Sequence, residues 1–301
     1  MIRVLVTGAG GQVGAEVARE LRGRAEVIAH DRLTLDLARP GEIAARIREA
    51  RPAVIVNAAA HTAVDRAESE EALAQAVNGV APGIIAEEAK RASALLVQFS
   101  TDYVFDGTAT RPYVESDAVN PLGAYGRSKL AGERAVQASG CAHLILRTSW
   151  VYGPRGRNFM LTMLRLAAAN AEVRVVDDQR GAPTSSLQLA RAVRELLTAG
   201  DAARPIEDAD VARATDAGGL YHASAAGETT WCGFAREIFE RRARVQPFTA
   251  PRVVPIATRD YPTPARRPTN SVLSSEKLAR DLGVRIADWR AGLEEVLAAL
   301  G

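Results

Sequence analysis

Arg3-Val4-Leu5-Val6-Thr7-Gly8-Ala9-Gly10-Gly11-Gln12-Val13-Gly14 runs from an apolar, β-branched segment straight into glycines and then into an amphipathic stretch at 12–22. A strand that ends in a glycine-rich turn and opens a helix lets the backbone approach a pyrophosphate and aims unpaired helix N–H groups at it. Gly8, Gly11 and Gly14 are spaced G-x-x-G-x-x-G, with Gln12 and Val13 inside the turn. Asp31 stands 23 residues after Gly8, at the end of the next strand-like run. A carboxylate there accepts the ribose 2′-hydroxyl of a dinucleotide, which favours NADH. Arg32, beside it, is placed to pair with a 2′-phosphate instead, so NADPH and NADH both stay open as cofactors.

Working outward, β-branched runs at 2–7, 26–30, 53–57, 95–100 and 143–148 alternate with amphipathic stretches at 12–22, 41–50, 70–92 and 121–138. That alternation specifies βαβ units and an α/β fold, a doubly wound parallel Rossmann sheet. Beyond residue 150 the pattern predicts helices at 158–170, 185–198 and 275–300 and strands at 172–176 and 219–223. Residues 200–218 are Ala/Asp-rich with little apolar periodicity and read as a surface excursion, and 247–268, with six prolines, as an irregular cap. Residues 1–150, with about 172–224, form the expected dinucleotide-binding domain. A smaller substrate-binding region, largely C-terminal, takes about 151–171 and 225–301.

Composition narrows the function. With 301 residues, 47% hydrophobic, the chain can bury a full core. Its 38 basic and 36 acidic residues are interspersed, so there is no basic field to hold nucleic acid or anionic lipid. Cys141 and Cys232 build neither a disulfide framework nor a metal array. No stretch is long and apolar enough to span a bilayer, and the start reads as a strand rather than a leader, so a cytoplasmic protein is expected.

Ser100-Thr101-Asp102-Tyr103 ends the fourth strand, and Asn120 and Pro121 read as the N-cap and first residue of the helix that carries Tyr125 and Lys129. That spacing puts the two side chains one turn apart on one face. A phenol near its usual pKa of ~10 is a sluggish acid or base at neutral pH unless a nearby ammonium stabilises the phenolate. Lysine is scarce here, only Lys90, Lys129 and Lys277 in the whole chain, which makes its presence at this spacing informative. Asn57 to Thr62 closes the third strand with small residues against which a cofactor can lie; His61 reads equally as hydrogen-bonded scaffold.

At these residues the chain resembles the extended short-chain dehydrogenase/reductase superfamily and, within it, the dTDP-4-dehydrorhamnose reductase family. The likeness rests on Gly11-Gln12-Val13-Gly14, VIVNAAAHTAVDRAES at 54–69, STDYVFDG at 100–107, YGRSKLAGE at 125–133 and LRTSWVYG at 146–153. DDQRGAPT at 177–184, GLYHASAAGETTW at 219–231 and YPTPARRPTNSVL at 261–273 extend it over nearly the whole chain. The resemblance implies reduction of a dTDP-linked 4-keto-6-deoxy sugar, with Tyr125 giving a proton to the C4 oxygen, Lys129 binding the nicotinamide ribose and lowering the Tyr125 pKa, and Thr101 hydrogen-bonding the developing alkoxide. It assigns Gly8, Gly11 to Gly14, Asp31, Arg32, Asp36, Leu37, Ala60, His61, Thr62, Tyr125 and Lys129 to the cofactor, and Thr101, Asp102, Tyr103 and Trp150 to the substrate. Trp150 also reads as core packing.

Related 4,6-dehydratases carry a carboxylate where this chain has Tyr103, and related epimerases typically show Ser-Ser in place of Thr101-Asp102. A non-catalytic NADP-binding regulatory subunit, also similar to this branch, is disfavoured by the intact Thr101, Tyr125 and Lys129. Some relatives form a homodimer through a magnesium ion held by glutamates; Glu16 matches one ligand position, but Leu187 stands at another, so no metal ligands are assigned. The excursion at 200–218 is longer than is usual in this branch.

Overall fold

Val4, Leu5 and Val6 are fully buried, as are Val54, Ile55 and Val56, because helices cover both faces of their sheet. Such strands read as unbroken apolar runs instead of alternating. In the computed structural model, which describes residues 1–201 and 203–300, the central sheet contains β1 (Arg3–Thr7), β2 (Glu26–His30), β3 (Val54–Asn57), β4 (Leu95–Thr101), β5 (His143–Thr148) and β6 (Gly219–His222). Their order is β6-β5-β4-β3-β1-β2, and every pairing is parallel. This is the expected doubly wound sheet. The direction of winding reverses between β1 and β3, where open α/β sheets hold ligands outside their carboxyl ends.

Five helices frame it: α1 (Gln12–Leu21), α2 (Pro40–Ala50), α3 (Ala81–Ala92), α4 (Ala124–Ser139) and α5 (Ser186–Thr198). Alternate residues of each strand enter opposite cores, as a side-chain period of two requires. Val4, Val6, Val54 and Val56 pack with Val17 and Leu21 of α1 and Leu189 and Val193 of α5. Leu5, Ile55, Leu96 and Ile145 pack with Ile43 and Ile47 of α2, Ile85 of α3 and Val136 of α4.

Several expectations need correction. The helix predicted over 70–92 runs without a gap from Glu71 to Ala92 but carries a π turn at Ala76–Val80 ahead of α3. The helix carrying Tyr125 starts at Ala124, not at Pro121. Asn120 gives its side-chain amide to Asp106, and the Glu68 carboxylate, distant in sequence, accepts the Ala124 N–H at 2.8 Å. The strand Glu172–Val176 pairs in parallel with Arg252–Ile256, apart from the central sheet.

The stretch 200–218, apart from Ala202, which lies outside the described residues, is tied down. It contains a helix, Asp208–Asp216, with Ile206 and Ala214 buried. The Arg204 guanidinium grips Asp210 through two hydrogen bonds of 2.7 and 2.5 Å. The C-terminal region divides into Glu276–Leu282 and Trp289–Ala298, because Gly283 turns left-handed at φ +70° and stops the first helix.

Candidate active site

A cavity of about 660 Å³ runs along the carboxyl edge of the sheet, from Gly8, Gly11 and Asp31 at one end to Trp150 and Trp231 at the other. Its geometry fits a dinucleotide at the glycine end. Gly8 holds φ +67° with its Cα pressed on Ala59, where a Cβ would come within 2.7 Å of the Ala59 nitrogen. Gly11, Gln12 and Val13 line the cavity at the start of α1, whose first amides are free to meet an anion. Gly14 lies just outside the cavity and acts by packing, since a Cβ there would collide with the Gly8 carbonyl. Gly14→Ala is therefore expected to displace the loop and weaken NADPH binding about tenfold or more, ~1.4 kcal/mol, in a fluorescence titration.

The Asp31 Oδ1 accepts the Thr34 and Leu33 N–H groups and the Thr34 hydroxyl. The bonds from Thr34, above all, hold its carboxyl below the usual value. Arg32 is exposed and lies 4.0 Å from Asp36; both line the cavity, with Leu37. Ala60, His61 and Thr62 line it after β3. Asn78, buried in the π turn, latches that loop: its Oδ1 accepts the His61 N–H at 2.8 Å and its Nδ2 donates to the His61 carbonyl at 3.0 Å. The His61 ring meets Glu70 at 3.0 Å.

Tyr125 and Lys129 reach the same cavity from α4, and Thr101 from the end of β4. Lys129 is buried, and its Nζ donates to the Phe99 carbonyl at 2.7 Å. Burial pulls the Lys129 ammonium down to about 8, with Glu133 acting against the fall. The Tyr125 phenol is pushed up to about 12 by burial, opposed by a hydrogen bond with Thr101. The Thr101 hydroxyl donates to Asp102 Oδ1 at 2.9 Å and accepts the Tyr103 N–H at 3.2 Å. Burial raises the Asp102 carboxyl to about 6, opposed by bonds from Thr101, Ser271 and Ser149. Tyr103 packs edge-on to Tyr125, with ring centroids 5.5 Å apart.

Comparison with known proteins gives the family. The model of the RmlD substrate binding domain family matches residues 2–301. The chain belongs to this family. A dTDP-4-dehydrorhamnose reductase of Burkholderia thailandensis is 46% identical over 292 residues, covering 96% of each chain. The crystal structure of a dTDP-4-dehydrorhamnose reductase from Clostridium acetobutylicum superposes with a TM-score of 0.89 at 37% identity, over 99% of each chain. That of a Bacillus anthracis dTDP-4-dehydrorhamnose reductase, in complex with NADP, does so with 0.88 at 32% identity over the full length of both. The family resemblance read from the motifs is borne out.

Nothing at Glu16 supports a magnesium site. The Glu16 carboxylate, almost wholly buried, sits 2.8 Å from Arg19 and 3.0 Å from Arg155. Two guanidinium groups already supply the positive charge a cation would bring. Among the described residues no cluster of three or more His, Cys, Asp or Glu could hold a metal, and no helix is long and apolar enough to cross a membrane.

Sequence reading missed three contributors. Trp231 closes the far end of the cavity, stacked on Trp150; it stood in the quoted GETTW motif without a role. Arg157 lines the cavity from a loop fastened to the phosphate turn by Asn158, whose amide donates to Gln12 at 2.9 Å. Glu133 receives two bonds from Arg147, 2.9 and 2.7 Å, and one from Ser100, 2.5 Å, one turn along α4 from Lys129. Trp150 lines the cavity and also packs against a second aromatic ring.

Proposed function

We propose that this protein reduces the C4 keto group of dTDP-4-dehydro-β-L-rhamnose to give dTDP-β-L-rhamnose, with NADPH or NADH as reductant, in the cytoplasm. The observation that carries the reading is the convergence of Thr101, Tyr125 and Lys129 on one wall of a cavity that begins at a dinucleotide loop. The relatives' names supply the sugar. The buried free thiols Cys141 and Cys232 suit a reducing compartment. Any homodimer forms without a magnesium bridge at Glu16, whose carboxylate is already ion-paired.

Reduced nicotinamide, when bound, supplies the hydride. Tyr125 gives its phenolic proton to the C4 oxygen, and a phenol raised to about 12 is fully protonated at neutral pH, as a donor must be. Lys129, one turn along α4 and lining the same cavity, offsets the charge of the phenolate left behind and so favours the transfer. Thr101 turns its hydroxyl from Asp102 to the oxygen as the charge there grows. Tyr103, where a dehydratase would need a carboxylate, offers no base for eliminating water. Asp31 favours NADH and Arg32, free to swing from Asp36, favours NADPH.

The test is direct. The purified protein, given the 4-keto sugar nucleotide and NADPH or NADH, should oxidise the coenzyme and yield the rhamnose epimer by NMR; another epimer, or none, refutes the reading. The Lys129 charge also sets a pH limit. With its folded pKa lowered to about 8, kcat/KM for reduction is expected to fall as pH rises through that value. A profile that stays flat well above it would remove Lys129's charge from the mechanism.

A further inference from the structure

Trp150 holds φ +47°, a left-handed conformation that an L-residue adopts only when its surroundings impose it. Those surroundings are specific. Trp231 lies against its indole face, ring centroids 3.5 Å apart and planes 8° from parallel. Gly181 supplies the room: a Cβ there would fall on the Trp150 ring. The two neighbours are fixed to each other, because Thr229–Thr230 pairs antiparallel with Arg180–Gly181. Thr230 caps the helix Trp231–Val245, accepting the Gly233 N–H at 2.9 Å, so Trp231 is the first residue of a pinned helix. Its Nε1 donates to Gln179 Oε1 at 3.2 Å, and Gln179 Nε2 donates to Thr258 Oγ1 at 3.0 Å. Phe159 covers it further, its ring centroid 4.6 Å away.

We propose that Trp231 and Gly181 are positioning residues that hold the Trp150 indole as a fixed wall of the sugar end of the cavity and thereby set affinity for the sugar nucleotide. The inference rests on the proposed function, in which Trp150 faces the sugar. A parallel indole stack is rigid and apolar, so it can present a flat surface to a pyranose ring without reorganising when the ring arrives. The stack stands at the opposite end of the cavity from Gly8 and Asp31, so the affinity for the cofactor should depend on it little.

The test compares Trp231→Ala, Trp231→Phe and Gly181→Ala with the wild type. Trp231→Ala and Gly181→Ala should raise KM for the sugar nucleotide about tenfold while the NADPH dissociation constant stays within about twofold, and Trp231→Phe should recover most of the loss. The stack has its own signature, the exciton couplet of two close indoles in far-ultraviolet circular dichroism, read with no substrate present. It should be strong in the wild type, absent in Trp231→Ala and weakened in Gly181→Ala. A wild type without the couplet, or Gly181→Ala with couplet and KM unchanged, overturns the proposal, as does an equal loss of NADPH affinity in both variants. If the wild type fails to reduce the sugar nucleotide at all, the proposed function falls, while the Gly181→Ala couplet still decides whether the stack is held as described.

Discussion

Tyr125→Phe is expected to lower kcat for ketone reduction by about 10²- to 10⁴-fold, the usual contribution of a positioned general acid. The substitution removes one oxygen and leaves the ring packed edge-on against Tyr103. NADPH affinity should therefore change by less than about twofold, because a lost interaction that forms only in the transition state lowers kcat without weakening ground-state binding. No neighbour replaces the donor well. Thr101, an aliphatic alcohol, is too weak an acid. Lys129 at about 8 is acidic enough but is held by the Phe99 carbonyl at 2.7 Å. Single-turnover reduction under saturating NADPH is the cleanest measurement. A variant that keeps near-full rate would move the donor role to Lys129 or to Asp102, whose carboxyl is raised to about 6.

This pair was legible before the fold because its information is local. Spacing along one helix fixes which side chains share a face, and the strand–glycine–helix passage from Arg3 to Gly14 fixes how a pyrophosphate can approach. What the sequence hid are contacts made across long separations. Glu68 caps the Tyr125 helix from 56 residues away, so the local signal at Asn120 and Pro121 misplaced its start. Asn78 joins the His61 loop to Ser128 through a π turn, where no apolar periodicity marks the break. The Ala/Asp-rich stretch near 200–218 read as a surface excursion because its helix is secured by Arg204 on Asp210 and by two apolar anchors, Ile206 and Ala214, not by an apolar stripe. Trp231 lacked a reading because its role depends on Gly181 and Trp150, which meet only in the folded chain.

The second large effect is on stability and falls at Glu133. Its carboxylate is 2% exposed and its partner Arg147 3%, and the arginine also lies over the Phe105 ring at 5.1 Å. Such a pair gains little over an apolar pair of the same shape, because desolvating two charges nearly cancels their attraction. Breaking it is another matter. Glu133→Ala strands a buried guanidinium and leaves the Ser100 hydroxyl without its acceptor, which should cost about 3–5 kcal/mol and lower the melting temperature by about 5–8 °C for a chain of this size. Replacing both partners, Glu133→Leu with Arg147→Met, should restore most of the lost stability by differential scanning calorimetry. The same variants separate scaffold from chemistry. Glu133 works against the burial that depresses Lys129, so without it the alkaline limb of kcat/KM should move to lower pH in the single and the double variant alike, although only the single variant melts early. If the limb stays in place in both, Glu133 supports the fold one turn along α4 from Lys129 without tuning it.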